Sequence, residues 1–401
     1  PLVLVWICLK ILRNAVSALS LLFVSSLTRV ARLANVRVSR SSVNEVSLVL
    51  FIVLVLLGFG IIMVFSSTMA SETDYLTRHL VFVATGLGLL GLMSITPLRL
   101  LKDNFRWALV LAFLLAIITF FYGVEINGAK RWIRVGGATF QISEWAKVFL
   151  LIYLCGYLSK YYENLMAHQS LFLIPIFFIA SFCCLLVVQP DLGTAVLIML
   201  TCFMLFFLVG VRLRYFLVLF FTFSLLLFFL IISKPERVER VTAFSNPWVD
   251  QWDSGWQLSQ ALIAFGRGEW FGMGLGGSIQ KLFYLPEAHN DFILAVIAEE
   301  TGILGCSLLL LAFTILISRI FSIGKRCLQN RRDFSGLACY FIGILFSTQV
   351  LINVGVSTGA LPTKGLTLPL ISYGGNSMVV SLFMLGIVLR SLKEMEIHDG
   401  N

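Results

Sequence analysis

The chain has 401 residues, 59% hydrophobic and 13% charged, with a mean hydropathy of +0.94, whereas soluble domains are roughly 45–50% apolar and 25% charged. A soluble enzyme is excluded, and so is a disordered chain, since 35 Phe and few charges are the reverse of that composition. The net charge of +9 calls for no nucleic acid, because membrane proteins keep excess Lys and Arg in their cytoplasmic segments.

A run of about 20 apolar residues spans a bilayer as a helix, and the fold class follows: all-α, a polytopic membrane protein with about ten transmembrane helices and one large extracytoplasmic loop. Residues 1–45 are set apart as a cytoplasmic or interfacial segment. Lys10, Arg13 and Asn14 break its apolar stretch, and each charge at a helix centre costs about 2.5–3.5 kcal/mol, so an amphipathic interfacial helix is expected there. The membrane domain, 46–392, divides into spans at 46–65, 80–97, 107–122, 142–159, 171–188, 192–211, 215–233, 291–318, 336–357 and 366–389. Residues 393–401 are left as a cytoplasmic tail.

With the N-terminus inside, about two thirds of the Lys and Arg residues fall in cytoplasmic segments, which places both termini there. Arg78, Lys130, Arg131, Arg134, Lys147 and Lys364 fall on the other side, against the insertion rule. They are either solvated charges or groups kept to bind an anion. The eight cysteines and the scattered His79, His168, His289 and His398 outline neither a disulfide framework nor a zinc site. The polar 234–290 loop carries Trp248, Trp252, Trp256 and Trp270; these rings read first as interfacial anchors, with a lid over a lipid-linked substrate as the alternative.

An ionisable residue inside a membrane span marks a functional site by default, since it must pair or face a wet cavity. Glu144 and Lys147 share a helix face and are expected to pair. Glu299 and Glu300 have no partners identifiable from sequence. Asp291 and Asp191 each precede an apolar helix, where Asp is a good N-cap worth about 1 kcal/mol. The Gly- and Pro-rich runs 359–365 and 373–375 break helical pattern at membrane depth, which is tolerated only in buried or cavity-lining backbone. Lys364 would give such a cavity a fixed positive charge.

Five motifs carry a resemblance. They are Asn127 to Ile133, Phe140 to Lys147, Gln189 to Thr194, Leu285 to Glu300, and Leu361 to Pro369 with Ile371 to Gly375. In that order the chain resembles, over about residues 46–392, the SEDS family (shape, elongation, division and sporulation) of ten-helix peptidoglycan glycosyltransferases. The runs 280–289 and 363–365 resemble the division-type branch more than the elongation-type one. Asn290, Ile142 and Asn376 depart from the Thr, Pro and Ser usual in the family.

The resemblance implies polymerisation of lipid II, the undecaprenyl-diphosphate-linked disaccharide pentapeptide, for septal wall synthesis at the cytoplasmic (inner) membrane of a bacterium. It assigns the essential carboxylate to Asp291 and substrate-binding roles to Arg131, Glu144 and Lys147, to which Lys364 is added. Gln189, Asp191, His289, Ser372 and Gly374 lie in the matching motifs as supporting positions. The implied partners are a class B penicillin-binding protein transpeptidase and other division proteins. No cofactor is required by the sequence; Mg²⁺ or Mn²⁺ is an alternative to basic side chains for neutralising the leaving diphosphate. A lipid II flippase, an elongation-type polymerase and a scaffold for the division machinery stay open as alternatives.

Overall fold

The computed structural model describes residues 40–399 apart from 72, 127–128, 136–137, 234–237, 240–241, 243, 245–246, 250–254 and 363–364. The expected N-terminal interfacial helix, Cys8, Trp252 and Lys364 therefore lie outside the described residues. Ten described helices are long and apolar enough to cross a membrane. They are α1 (Arg40–Thr68), α2 (Tyr75–Ile95), α4 (Phe105–Tyr122), α5 (Ile142–Ala167), α6 (Leu173–Val188), α7 (Leu192–Val209), α8 (Leu213–Ile232), α10 (Ile293–Gln329), α11 (Asp333–Ser357) and α12 (Gly375–Asp399). Two shorter helices, α3 (Leu98–Asp103) and α9 (Trp256–Gly268), lie between them.

The all-α expectation holds for the membrane body, and one connection departs from it. Between α4 and α5 the chain folds into an antiparallel sheet in the order β1 (Val124–Ile126), β2 (Ala129–Val135), β3 (Ala138–Gln141). Trp132 pairs with Gln141 and Arg134 with Thr139. Because side chains alternate along a strand, β2 sends Arg131 and Ile133 to one face and Lys130, Trp132 and Arg134 to the other.

Burial orders the helices. In α5 and α12, 83% of the most apolar 18-residue stretch is buried, whereas in α8 it is 0%, so helices with buried polar residues form the centre and the Phe- and Leu-rich α8 faces lipid. That ordering follows from the solvent: polar side chains gain by facing protein, apolar ones lose nothing by facing acyl chains. α2 and α12 approach closely through glycines. A Cβ at Gly386 would lie 2.8 Å from the Leu90 carbonyl, and one at Gly86 would lie 2.5 Å from Leu382 Cδ1.

Several boundaries differ from the expected ones; the fourth span, for example, runs on to Ala167 instead of ending at 159. The last span starts at Gly375 rather than at 366, because the segment before it makes side-chain hydrogen bonds in place of helical ones: Ser372 Oγ accepts from the Leu368 N–H at 2.8 Å. The eighth span continues to Gln329 and is broken at Gly302, whose φ is +67°.

Gly386→Leu should lower the thermal midpoint of the detergent-solubilised protein by more than about 5 °C, since a rigid backbone carbonyl opposes the new side chain. Gly88→Leu, which meets nothing within 4 Å, is the matched control and should leave the midpoint in place.

Candidate active site

The N-terminal ends of the even-numbered spans, α2, α5, α7, α10 and α12, all lie at one end of the bundle. Asp74 and Asp191 cap two of them, accepting from the N–H groups of Thr77 at 3.0 Å and Thr194 at 3.3 Å. The capping expected of Asp291 is not formed. Phe292 occupies the N-cap position of α10 with no side-chain cap bond, because the turns through 285–292 bring the Phe292 N–H back to the Glu287 carbonyl.

The Asp291 carboxylate faces the 365–374 segment instead. A Cβ on Gly365 would sit 2.9 Å from Asp291 Oδ2, so only glycine lets the backbone pass this close. Asn353 of α11 fixes both partners, donating to the carbonyls of Asp291 at 3.0 Å and Leu366 at 2.9 Å. The Tyr373 N–H donates to the His289 carbonyl at 2.9 Å. Asp291 is thus seated between α10, α11 and the segment that leads into α12.

Its charge environment is set by burial and two neighbouring charges. Burial raises the Asp291 carboxyl from 3.8 to about 7, the Glu287 charge adds to that rise, and Arg131 opposes it. Arg131 reaches over from β2 to the Pro190 carbonyl and to Asp191 Oδ1, the latter at 3.7 Å. Sheet, α7 and α10 therefore bring Arg131, Asp191 and Asp291 together. Burial also lowers the proton affinity of the His289 ring, with Glu287 acting the other way.

The remaining expected positions divide differently. Glu144 and Lys147 pair with each other at 2.6 Å, their side chains 8% and 1% exposed, so the Lys147 ammonium is already committed. Gln189 donates to the Ala116 carbonyl of α4 at 2.7 Å. Gly374 gives room to Thr367, whose Cγ2 a Cβ would meet at 2.9 Å. Gln189, Ser372 and Gly374 thus brace the backbone around the site. Asn376, in place of the usual Ser, spans from α12 to the Thr139 carbonyl of β3 at 3.0 Å.

Glu299 and Glu300, which had no partners in the sequence reading, anchor the long loop. Glu299 accepts from Arg267 at 2.7 Å, from Ser278 at 2.5 Å, and from the N–H groups of Ile279 at 3.2 Å and Gln280 at 3.3 Å. Glu300 pairs with Lys281 at 2.9 Å and accepts from Ser66 of α1 at 2.6 Å. At the Gly302 break the loop supplies what the helix lacks: Met273 and Gly274 donate to the carbonyls of Glu299 and Glu300, while Ile303 and Leu304 donate to those of Glu269 and Trp270. The one signal in the sequence was two acids in a span facing an excess of loop cations. Trp248 and Trp270 are 52% and 66% exposed.

Among the described residues no three His, Cys, Asp or Glu side chains group as a metal site. A divalent ion here would rest mainly on phosphate oxygens, as Mg²⁺ commonly does.

Fold and site together define a multi-pass membrane protein with a carboxylate and an arginine gathered at one end of its bundle. The chain belongs to the cell cycle protein family of FtsW, RodA and SpoVE, whose profile matches residues 47–396. It is 42% identical over 350 residues to the probable peptidoglycan glycosyltransferase FtsW of Coxiella burnetii, covering 85% of this chain and 94% of that one. The protein of the same description from Idiomarina loihiensis is 42% identical over 343 residues, covering 84% of each. A chain from a peptidoglycan synthase complex, described as showing structural coordination of polymerization and crosslinking, superposes with a TM-score of 0.74 at 29% identity, covering 86% of this chain and 97% of that one. Thermus thermophilus RodA superposes at 0.65 and 27% identity, covering 86% and 96%.

The paired acids of α10 make a stability prediction. Lys281→Met alone leaves Glu300 buried and unpaired and should cost about 3–5 kcal/mol, whereas Lys281→Met with Glu300→Gln should cost clearly less. Thermal unfolding of these two proteins and of Glu300→Gln alone measures it. Additive losses would mean that the pair contributes no coupling.

Proposed function

We propose that the chain is a peptidoglycan glycosyltransferase of the division type that polymerises lipid II, with Asp291 as general base. The observation that carries this is the placement of the Asp291 carboxylate, uncapped, against Gly365 and in the field of Arg131, where burial raises its pKa to about 7. A base poised near the working pH combines a populated ionised form with real basicity. The naming of its relatives as probable peptidoglycan glycosyltransferases supports the reading.

In the reaction the Asp291 carboxylate accepts the proton of the acceptor sugar's 4-hydroxyl. The freed oxygen attacks the donor's anomeric carbon, and the bond from that carbon to the lipid diphosphate breaks with its electron pair on the diphosphate. The leaving group needs charge stabilisation rather than a proton, which Arg131 can give. Asp191 and the Pro190 carbonyl hold the guanidinium in place. One carboxylate suffices, unlike the paired carboxylates of glycoside hydrolases. The Glu144–Lys147, Glu299–Arg267 and Glu300–Lys281 pairs neutralise charges within the protein, which favours a catalyst over a flippase with a charged passage.

The site end of the bundle then faces away from the cytoplasm, both termini are cytoplasmic, and the protein works in the bacterial cytoplasmic membrane at the septum. The partner is a class B penicillin-binding protein transpeptidase; the related synthase complex in which polymerization and crosslinking are coordinated supports such a pairing. Lys364 and His289 are kept as substrate-side candidates.

Purified protein supplied with lipid II should form glycan strands, and Asp291→Asn should reduce that synthesis by at least ~10². The rate should fall as pH drops through about 7, because the carboxyl is then protonated and cannot accept. The stability sign is opposite to that of an ion-paired Asp. A raised folded value favours folding below the unfolded value, and that gain is lost as pH rises to about 7. Asp291→Asn should therefore unfold at increasingly higher temperature than the parent as pH goes from 4 to 8. Near-parent synthesis by this variant would end the assignment.

Orientation has its own test. Val249 is 82% exposed, and Val249→Cys should react with an impermeant maleimide from outside intact cells, while Lys102→Cys should not. The reverse pattern would invert the topology.

A further inference from the structure

Beside Asp291 stands a second group of basic and aromatic residues, carried by elements other than those that bear Arg131. His289, two residues before Asp291, packs its ring on Tyr75 at the first position of α2, with centroids 4.6 Å apart and planes at 42°. Tyr373 closes the set, 5.0 Å from Tyr75 at 85° and 5.6 Å from His289 at 62°. All three rings are half-buried, each packed in part and open in part. Arg78, one turn along α2, is exposed, and its positive charge acts on the Tyr373 hydroxyl.

Arg78 is not consumed by a structural ion pair. Among the described residues no carboxylate lies within 4.0 Å of it as a salt-bridge partner, and the nearby Asp74 carboxylate is committed to capping α2. Beneath the cluster, the His79 ring lies 6.0 Å from that of Tyr373 and is 0% exposed. Neither of its nitrogens has a hydrogen-bond partner among the described residues, so the floor of the cluster retains one donor and one acceptor.

These features match one class of ligand. Half-open Tyr and His rings offer an apolar face with polar tips, suited to the C–H face and hydroxyls of a pyranose. A guanidinium matches phosphate oxygens in a bidentate fork. Joining two lipid-linked saccharides moreover brings two anionic headgroups to the protein, the donor's at the reacting carbon and the acceptor's a disaccharide away from its attacking hydroxyl, and Arg131 can serve only one of them. We propose that Tyr75, Arg78, His289 and Tyr373 form a second saccharide-diphosphate subsite beside Asp291, which holds one lipid-linked substrate while Arg131 holds the other. This rests on the polymerase reading given above and adds to it where the two substrates lie.

Binding is measured on the full chain carrying Asp291→Asn, so that turnover does not interfere, with lipid II and undecaprenyl diphosphate as separate probes. Two lipid II molecules should bind per chain. Arg78→Gln should weaken one of them about tenfold and weaken undecaprenyl diphosphate to the same degree, with partial recovery in Arg78→Lys. Tyr75→Leu should weaken lipid II but not undecaprenyl diphosphate, and Tyr75→Phe should bind like the parent; thermal midpoints confirm that each variant is folded. Two lipid II molecules bound at parent affinity in Arg78→Gln and Tyr75→Leu would overturn the subsite, as would a single molecule bound by the parent. Equal losses of both probes in Tyr75→Leu would overturn its saccharide-binding role. Because the readout is binding, its failure is distinct from that of the polymerase reading, which is decided by glycan synthesis in the otherwise unaltered protein.

Discussion

Two adjacent glutamates in one helix hold the site end of this molecule together. α10 is broken at Gly302, and the carbonyls and N–H groups that the break releases pair with backbone at 269–274 rather than within the helix. Glu299 and Glu300 add Arg267 and Lys281 to that seam, and Ser66 ties it to α1. Buried charges are costly to desolvate and gain it back only with good geometry and full hydrogen bonding, and here both carboxylates are met by a cation and further donors. The chain leaves this seam at Lys281, passes through Asp291 and returns to it at Glu299. A segment tied at both ends fixes the carboxylate in its middle.

That fixed position explains why Asp291 differs chemically from Asp191. Both stand before apolar helices, yet Asp191 caps its helix and pairs with Arg131 through Oδ1. Asp291 makes no cap, faces Gly365, and shares its surroundings with Glu287. Desolvation and a like charge outweigh the attraction of Arg131, and the proton is held more tightly. The difference comes from what packs around each residue, since their local sequence positions are alike.

The polar residues of the buried helices serve the same end. Asn353 in α11 joins Asp291 to Leu366, Ser372 closes the turn from Leu368, and Asn376 links α12 to the sheet. Each satisfies backbone groups that an irregular segment inside a membrane cannot leave to water. The segment from 365 to 374 is thus held open as non-helical backbone, and the space that a continuing helix would fill is left to Gly365 and the Asp291 carboxylate.

Much of this was legible in the sequence. Apolar run length gives the number of spans and the place of each along the chain, because the bilayer imposes its thickness on any helix that crosses it. The Glu144–Lys147 pair is readable from i,i+3 spacing, and the Asp191 cap from its place before α7. The three-stranded sheet at 124–141, the start of the last helix at Gly375 and the absence of a cap at Asp291 were not readable. Each is set by the short-range hydrogen bonds of hairpins and turns, and the closing of those bonds does not show in an apolar pattern. The partners of Glu299 and Glu300 come from a loop some 20–30 residues upstream and from α1, and Arg131 meets Asp191 across 60 positions. Sequence alone determined how often the chain crosses the membrane, because the bilayer acts on each segment independently. Only the tertiary structure decided which charges meet, because pairing within a low-dielectric interior is settled by packing among all the segments at once.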